Sequence, residues 1–130
     1  MRHLWLMGLL GLAVVAGCSK ATPEEQAALA AKGYYTHLAA GEYEQFLEGK
    51  AGSDSLPDDY REQLLTAYAQ FMDRQQREHG GISEVRINSA RTDTLLHYTS
   101  AFLLLCYGDS TQEEIVVPMV EHGDGRWRMK

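Results

Sequence analysis

At Gly80-Gly81 the apolar period of this chain changes, and that change restricts the fold more than any other feature. Before it, apolar side chains recur at the three-to-four-residue spacing of an α-helix. After it they recur at every second residue, as in a strand with one covered face. Thr22-Pro23-Glu24-Glu25 has the form of a helix start: Thr22 can cap, Pro23 suits the first helical position, and Glu25 can complete a capping box. Ala27, Ala31, Tyr34, Tyr35 and Leu38 fall on one stripe of that helix, and Gly41 stops or bends it. Glu42 to Leu47 predicts one or two further turns, with Tyr43, Phe46 and Leu47 pointing inward. Residues 49–54 read as a loop. A longer helix begins near Ser55-Leu56-Pro57-Asp58-Asp59, whose acids suit the positive end of the helix dipole. It carries Tyr60, Leu64, Tyr68, Phe71 and Met72 on its apolar face and ends at His79.

Beyond the double glycine, Val85 and Ile87 alternate with Glu84, Arg86 and Asn88. Thr92 to Tyr107 reads as one long strand with room for a bulge, Gly108-Asp109-Ser110 as a turn, and Gln112 to Glu121 as the next strand. Gly123-Asp124-Gly125 then turns into a last strand in which Trp127 and Met129 share one face and Arg126, Arg128 and Lys130 the other. Pro118 cannot donate to a ladder, which predicts a sheet edge or a bulge. Helices followed by a meander predict an α+β fold, with N-terminal helices packed on an antiparallel sheet of about four strands. Ala101 to Cys106 is apolar at both parities, so both faces of that strand want cover. The helices can cover one. Dimerisation through the sheet is the preferred cover for the other, with a partner protein or a strand curled into a cone as alternatives.

The first residues carry a different signal. Met1-Arg2-His3 is a short basic start, and Leu4 to Val15 is almost wholly apolar, the form of a secretory signal. A transmembrane helix needs about 20 apolar residues, and this run is too short. Val15-Ala16-Gly17-Cys18 resembles the lipobox of bacterial lipoproteins. That resemblance implies cleavage between Gly17 and Cys18 and lipid on the Cys18 thiol. The expected organisation is a signal peptide over 1–17, a lipidated tether over 18–22 and a single domain over 23–130. Several acyl chains would be needed, because one gives only marginal membrane binding. Ser19, where an Asp tends to retain lipoproteins at the inner membrane, favours the outer membrane of the cell envelope; a periplasmic or surface-facing position is left open.

Removing residues 1–17 from 130 leaves 113, enough for one domain, and loss of Arg2 moves the formal charge from −6 to −7. An acidic domain without a basic stripe argues against nucleic acid or anionic lipid as the natural partner. Cys18 and Cys106 are the two cysteines. Lipidation would consume the first, leaving no intramolecular disulfide, and Cys106 is expected to be a buried, inert thiol.

The order of elements, together with Tyr34-Tyr35-Thr36-His37-Leu38-Ala39-Ala40-Gly41-Glu42-Tyr43-Glu44-Gln45-Phe46, resembles small lipoproteins of the nuclear-transport-factor-2-like (cystatin-like) superfamily. The hairpin from Val117 to Met129 with its terminal Trp127 is similar too. The resemblance covers the mature chain and rests on structural motifs. It implies a strongly curved antiparallel sheet wrapped around helices as a cone with a pocket. Enzymes on that fold, isomerases and dehydratases, place carboxylates, histidines or tyrosines inside the cone.

Candidate chemistry in this chain is thin. Asp93 and His97 share parity on the expected long strand, but four residues of strand span about 13 Å, beyond hydrogen-bond reach. His37 reads as a helix-end residue, His79 as a cation at a helix C-terminus, and His122 as a solvated turn neighbour. No Cys-x-x-Cys or His-Glu-x-x-His spacing occurs, so neither a metal nor another cofactor is expected, and no catalytic residue is assigned. Tyr34, Tyr35, Tyr60, His97, Tyr98 and Trp127 are the candidates for lining a pocket, with core packing as the competing role of the tyrosines. The expected function is a membrane-anchored, non-catalytic binding or protein-interaction domain. The alternatives are a small isomerase- or dehydratase-like enzyme and a structural subunit of an envelope complex.

Overall fold

The computed structural model describes residues 21–130. The expected signal peptide, the cleavage point at Gly17-Cys18 and the lipidated thiol of Cys18 lie outside the described residues.

Helix α1 (Pro23–Ala39) starts as its sequence predicts: Thr22 accepts from the Glu25 backbone N–H, and the Glu25 carboxylate accepts from the Thr22 N–H. Two amides that a helix end would otherwise leave unpaired are thereby satisfied. Ala27, Ala28 and Ala31 are buried, and their small side chains let α1 lie close on the first two strands. Gly41, at φ +81°, turns the chain into the short helix α2 (Tyr43–Glu48), which buries Phe46 and Leu47. Helix α3 (Asp58–His79) follows, capped by Gly80 in the left-handed conformation.

Four strands form one antiparallel sheet in chain order: β1 (Ile82–Asp93), β2 (Tyr98–Tyr107), β3 (Gln112–Glu121) and β4 (Trp127–Met129). The core lies between α1, α2 and one sheet face. From β2 that face presents Thr99, Ala101, Leu103, Leu105 and Tyr107, all buried, and Val117, Met119 and Met129 extend it across β3 and β4. Helices followed by a four-stranded meander make the protein α+β, as the period change predicts.

Four details differ from the sequence expectations. Thr92 to Tyr107 is two strands joined by a tight turn. Asp93 folds its side chain back, and one carboxylate oxygen accepts the N–H of Leu95 at 2.9 Å and of Leu96 at 3.0 Å. His97 closes the turn at φ 57°. An Asp side chain can imitate a backbone turn without the glycine or proline that usually announces one.

Pro118 sits neither on an edge strand nor at a bulge. It faces Ser100 across β2–β3, and its carbonyl accepts from Lys130, one residue beyond β4. In an antiparallel ladder one residue directs its N–H and C=O to the same neighbour. The missing donor therefore points to where β4 runs out.

The segment read as a loop over 49–54 is partly sheet. Met129 donates to the Gly49 carbonyl and Ala51 donates to the Met129 carbonyl, both at 2.7 Å, and Lys50 bridges in parallel to Met129.

Helix α3 buries no residue fully; Leu64, Tyr68, Phe71 and Met72 are half-buried and Tyr60 is exposed. It touches α2 and, more sparsely, α1 and β1, so nothing covers the whole of its apolar face. Its C-terminus is fixed differently: Gly108 donates to the Gly81 carbonyl and Asp109 to the His79 carbonyl, each at 2.9 Å.

Candidate functional site

The residues expected to line a pocket separate into two places. At one end of the sheet, where α1 begins, Pro23, Glu24, Thr92, His97, Tyr98, Thr99, Glu121 and Trp127 line an open cleft of about 340 Å³. Three of the six candidates meet there. Trp127 comes from the inward face of β4, and its indole donates to Gln26 Oε1 of α1 at 3.2 Å. Tyr34 stands behind it, donating its hydroxyl to the Trp127 carbonyl at 2.6 Å. Tyr98 is half-buried, with the Lys130 ammonium 5.0 Å from its ring centre. His97 is exposed, because the turn it closes leaves the sheet.

The cleft is polar along one wall. The Glu24 carboxylate accepts from the Thr92 hydroxyl, which lies 2.9 Å from the buried Thr99 hydroxyl. The Thr92 bond, followed by a backbone bond, holds the Glu24 carboxyl below the usual range. Asp93 and His97 are held on opposite sides of one turn: the His97 N–H donates to the Asp93 carbonyl at 3.0 Å, while the Asp93 carboxylate serves Leu95 and Leu96. The expected distance along one strand is therefore not the reason they fail to pair as base and orienter. The carboxylate is committed to the backbone.

Glu24 also borders a larger groove of about 610 Å³ between α1 and the edge strand β1, with Ala28, Leu29, Ile87 and Ala90 on its apolar sides. Both concavities are open to solvent.

Tyr35 and Tyr60 lie elsewhere. Tyr35 meets Phe46 edge-to-face at 5.1 Å between ring centres, and Phe46 meets Tyr68 in the same way at 4.9 Å. Burial raises the Tyr35 hydroxyl above its ordinary pKa; burial first, then the neighbouring Tyr35 and Tyr60, raises Tyr68. This cluster joins α1, α2 and α3, so Tyr35 and Tyr68 take the packing role, while Tyr60 is exposed and lines neither a pocket nor the core.

At the opposite end of the sheet is a polar cluster that the sequence did not reveal. His79 Nδ1 lies 3.0 Å from Asp109 Oδ2, and the imidazole stacks on Tyr107 at 4.8 Å between ring centres. Tyr107 donates to Glu113 Oε1 at 2.6 Å. Hydrogen bonds from Thr111, then from His79, hold Asp109 down at about 2. Burial first, and then Glu113, raises the Tyr107 hydroxyl well above its ordinary value. His37 pairs with Glu42 at 2.7 Å beside the end of α1. His122 is exposed. Among the described residues no group of three His, Cys, Asp or Glu side chains is placed to hold a metal ion.

The outer sheet face is the remaining surface of note. Phe102, Leu104 and Cys106 of β2 lie there half-buried, beside the exposed Val116 and half-buried Val120 of β3. Cys106 is thus less buried than expected. Arg91 covers part of this face, its guanidinium 5.6 Å from the Phe102 ring centre. Glu84, Arg86, Asn88 and Glu114 border it, the last two hydrogen-bonded to each other.

A solved structure from Campylobacter jejuni, described as a "Putative NTF2-like transpeptidase", superposes on this chain with a TM-score of 0.60. The superposition covers 76% of this chain and 92% of that one, at 14% identity. The fold is nuclear-transport-factor-2-like. No family model matches the chain, and no curated protein does. At this identity the likeness speaks for the nuclear-transport-factor-2-like architecture alone, a helical layer on a four-stranded antiparallel sheet. Among the described residues no helix is long and apolar enough to cross a membrane.

Proposed function

We propose that the protein is a membrane-anchored lipoprotein of the cell envelope whose nuclear-transport-factor-2-like domain is a non-catalytic binding or interaction module. Lipid on Cys18 is the anchor, and Ser19 favours the outer membrane. One observation carries the interaction reading: the outer face of β2 presents Phe102, Leu104 and Cys106 with no element of the described chain packed over them. Apolar strips on a sheet face mark contact surfaces. A second copy laid face to face covers the strip on both partners at once, and a two-fold arrangement lets one patch serve both. An envelope protein is the alternative occupant.

The test combines light scattering with Leu104→Lys. The expected result is a dimer for the native chain and a monomer for the variant, with the same circular-dichroism spectrum. A monomeric native chain, or a variant that stays dimeric, removes the sheet face as the self-association surface. Acyl labelling that is lost in Cys18→Ala tests the anchor separately.

A second reading has its own support. The His79–Asp109 hydrogen bond has the geometry of a base held by an orienting carboxylate, and the structural neighbour's description names a group-transfer activity. Transpeptidation needs a nucleophile, and Cys106 lies on the outer face with Ser83 donating to its carbonyl rather than an imidazole bonded to its thiol. An isomerase- or dehydratase-like activity in the open cleft would depend on His97. Any turnover abolished by His79→Ala or His97→Ala without a change in stability would favour catalysis over the binding reading.

A further inference from the structure

The turn between β1 and β2 exposes Leu95 and Leu96, at 86% and 63% of their surface. They are the most exposed large apolar side chains among the described residues, and they are adjacent. Their position is more telling than their number. Thr92, three residues before Leu95, is hydrogen-bonded to Glu24 in the first turn of α1, and Pro23 and Glu24 share the open cleft with His97 and Tyr98. The turn therefore projects from the end of the domain at which α1 begins. The five residue steps from Cys18 to Pro23 span at most about 18 Å when fully extended. We propose that this turn is a lipid-contacting tip: Leu95 and Leu96 enter the bilayer surface beside the anchor. The inference rests on the anchor reading.

Three features suit the turn to that role. Three of its backbone donors are satisfied from within, since Asp93 accepts the amides of Leu95, Leu96 and His97, so entry into lipid does not strand those donors. The nearby carboxylates are also occupied: Asp93 serves the turn, and Glu24 binds Thr92. Lys130 lies behind the tip, its ammonium 5.0 Å from the ring centre of Tyr98, and offers a cation to headgroup phosphates; the Arg91 guanidinium lies farther along the sheet, over Phe102. Glu121, exposed at the same end, is the one carboxylate of the cleft without an assigned partner, so apolar insertion rather than anionic attraction is the driving term. Two leucines do not hold a protein on a membrane by themselves. Beside a lipid anchor their insertion becomes intramolecular, and the effective concentration of membrane replaces affinity. Contact at two points turns the cleft toward the headgroups and leaves the outer sheet face free for a partner.

The experiment uses the full chain isolated from membranes and returned to vesicles of phosphatidylethanolamine and phosphatidylglycerol containing brominated lipid. Leu95→Trp reports the tip, Gln112→Trp reports the opposite end of the sheet, and the native chain supplies the background from Trp127. Both sites are exposed, and circular dichroism checks that each variant folds. The expected result is a blue-shifted Leu95→Trp emission quenched several-fold more than that of Gln112→Trp. Equal quenching at the two positions, in a chain that salt does not wash from the vesicles, overturns the proposal. The mass of the mature chain reports Cys18 acylation independently. If Cys18 is unmodified the anchor reading fails and the tip, which rests on it, fails with it; equal quenching in a chain shown to be acylated overturns the tip alone.

Discussion

Gly108→Ala adds a single carbon where the fold leaves no room for it. A Cβ at position 108 would lie 2.5 Å from the Gly80 carbonyl oxygen, 3.0 Å from its carbon and 3.3 Å from its Cα. These neighbours are backbone, and Gly80 is itself held at φ +77°, so no flexible side chain can give way. Relief requires the end of α3 to separate from the β2–β3 turn. That separation breaks the bonds from Gly108 to Gly81 and from Asp109 to His79. At about 0.5–1.5 kcal/mol each, the two bonds together put the loss near ~2 kcal/mol. In a domain of this size that lowers Tm by about 8 °C. Urea unfolding followed by circular dichroism measures the loss, and hydrogen exchange should show faster exchange at the amides of 108 and 109. A variant within about 0.5 kcal/mol of the native chain, with those amides still protected, would refute the reasoning, because α3 would not then depend on this approach.

The same logic predicts a gain at Gly33, inside α1, where an added Cβ meets no atom within 4 Å. Gly33→Ala should stabilise by about 0.5–1 kcal/mol, measured by the same unfolding curves. Tyr34→Phe removes the donor to the Trp127 carbonyl and should cost about 1 kcal/mol, with altered Trp127 fluorescence as a second readout. On the acid side, Asp109 has a folded pKa of about 2 against an ordinary 3.8, so it binds fewer protons folded than unfolded. Its contribution is present above pH 3.8 and is lost as pH falls toward 2; the acid limb of stability should flatten in Asp109→Asn. On the alkaline side, Tyr107 keeps its proton longer folded than unfolded. Stability should therefore decline as pH rises beyond the ordinary tyrosine value of 10, and less so in Tyr107→Phe.

The parts of this fold that were legible in the sequence are those decided by neighbours in the chain. The Thr22–Glu25 capping box, the Gly41 turn and the bounds of β3 depend on a few adjacent residues, and all stand as the sequence predicts. The turn at 93–98 is equally local, yet it lacks the usual glycine or proline, and alternation alone continued a strand through it. Periodicity identified the apolar side of α3 at Leu64, Tyr68, Phe71 and Met72, though not at Tyr60, and could not say how much chain would be left to cover it. With α1 already seated on β1 and β2, α3 reaches mainly α2, and its apolar residues remain half-buried.

The candidate site divides along the same line. Trp127 could be put on the same face as Met129 because a short terminal strand has only two faces, and that face is the one Met129 buries in the core; the meeting with Gln26 of α1 came only from the structure. Tyr35 and Tyr60 carried no such constraint: an aromatic ring on an amphipathic helix serves a pocket, a core or the surface equally well, and Tyr35 packs on Phe46 in the core while Tyr60 is left exposed. The His79–Asp109 pair was beyond reach for another reason. Its members are thirty residues apart and meet because two glycines, 80 and 108, let the end of a helix rest against a hairpin turn. A helix-end histidine has a sufficient local explanation in the helix dipole, and that explanation hides the partner. Close backbone approach is set by the absence of side chains, so the residues that bring His79 and Asp109 together are the two that carry no chemistry of their own.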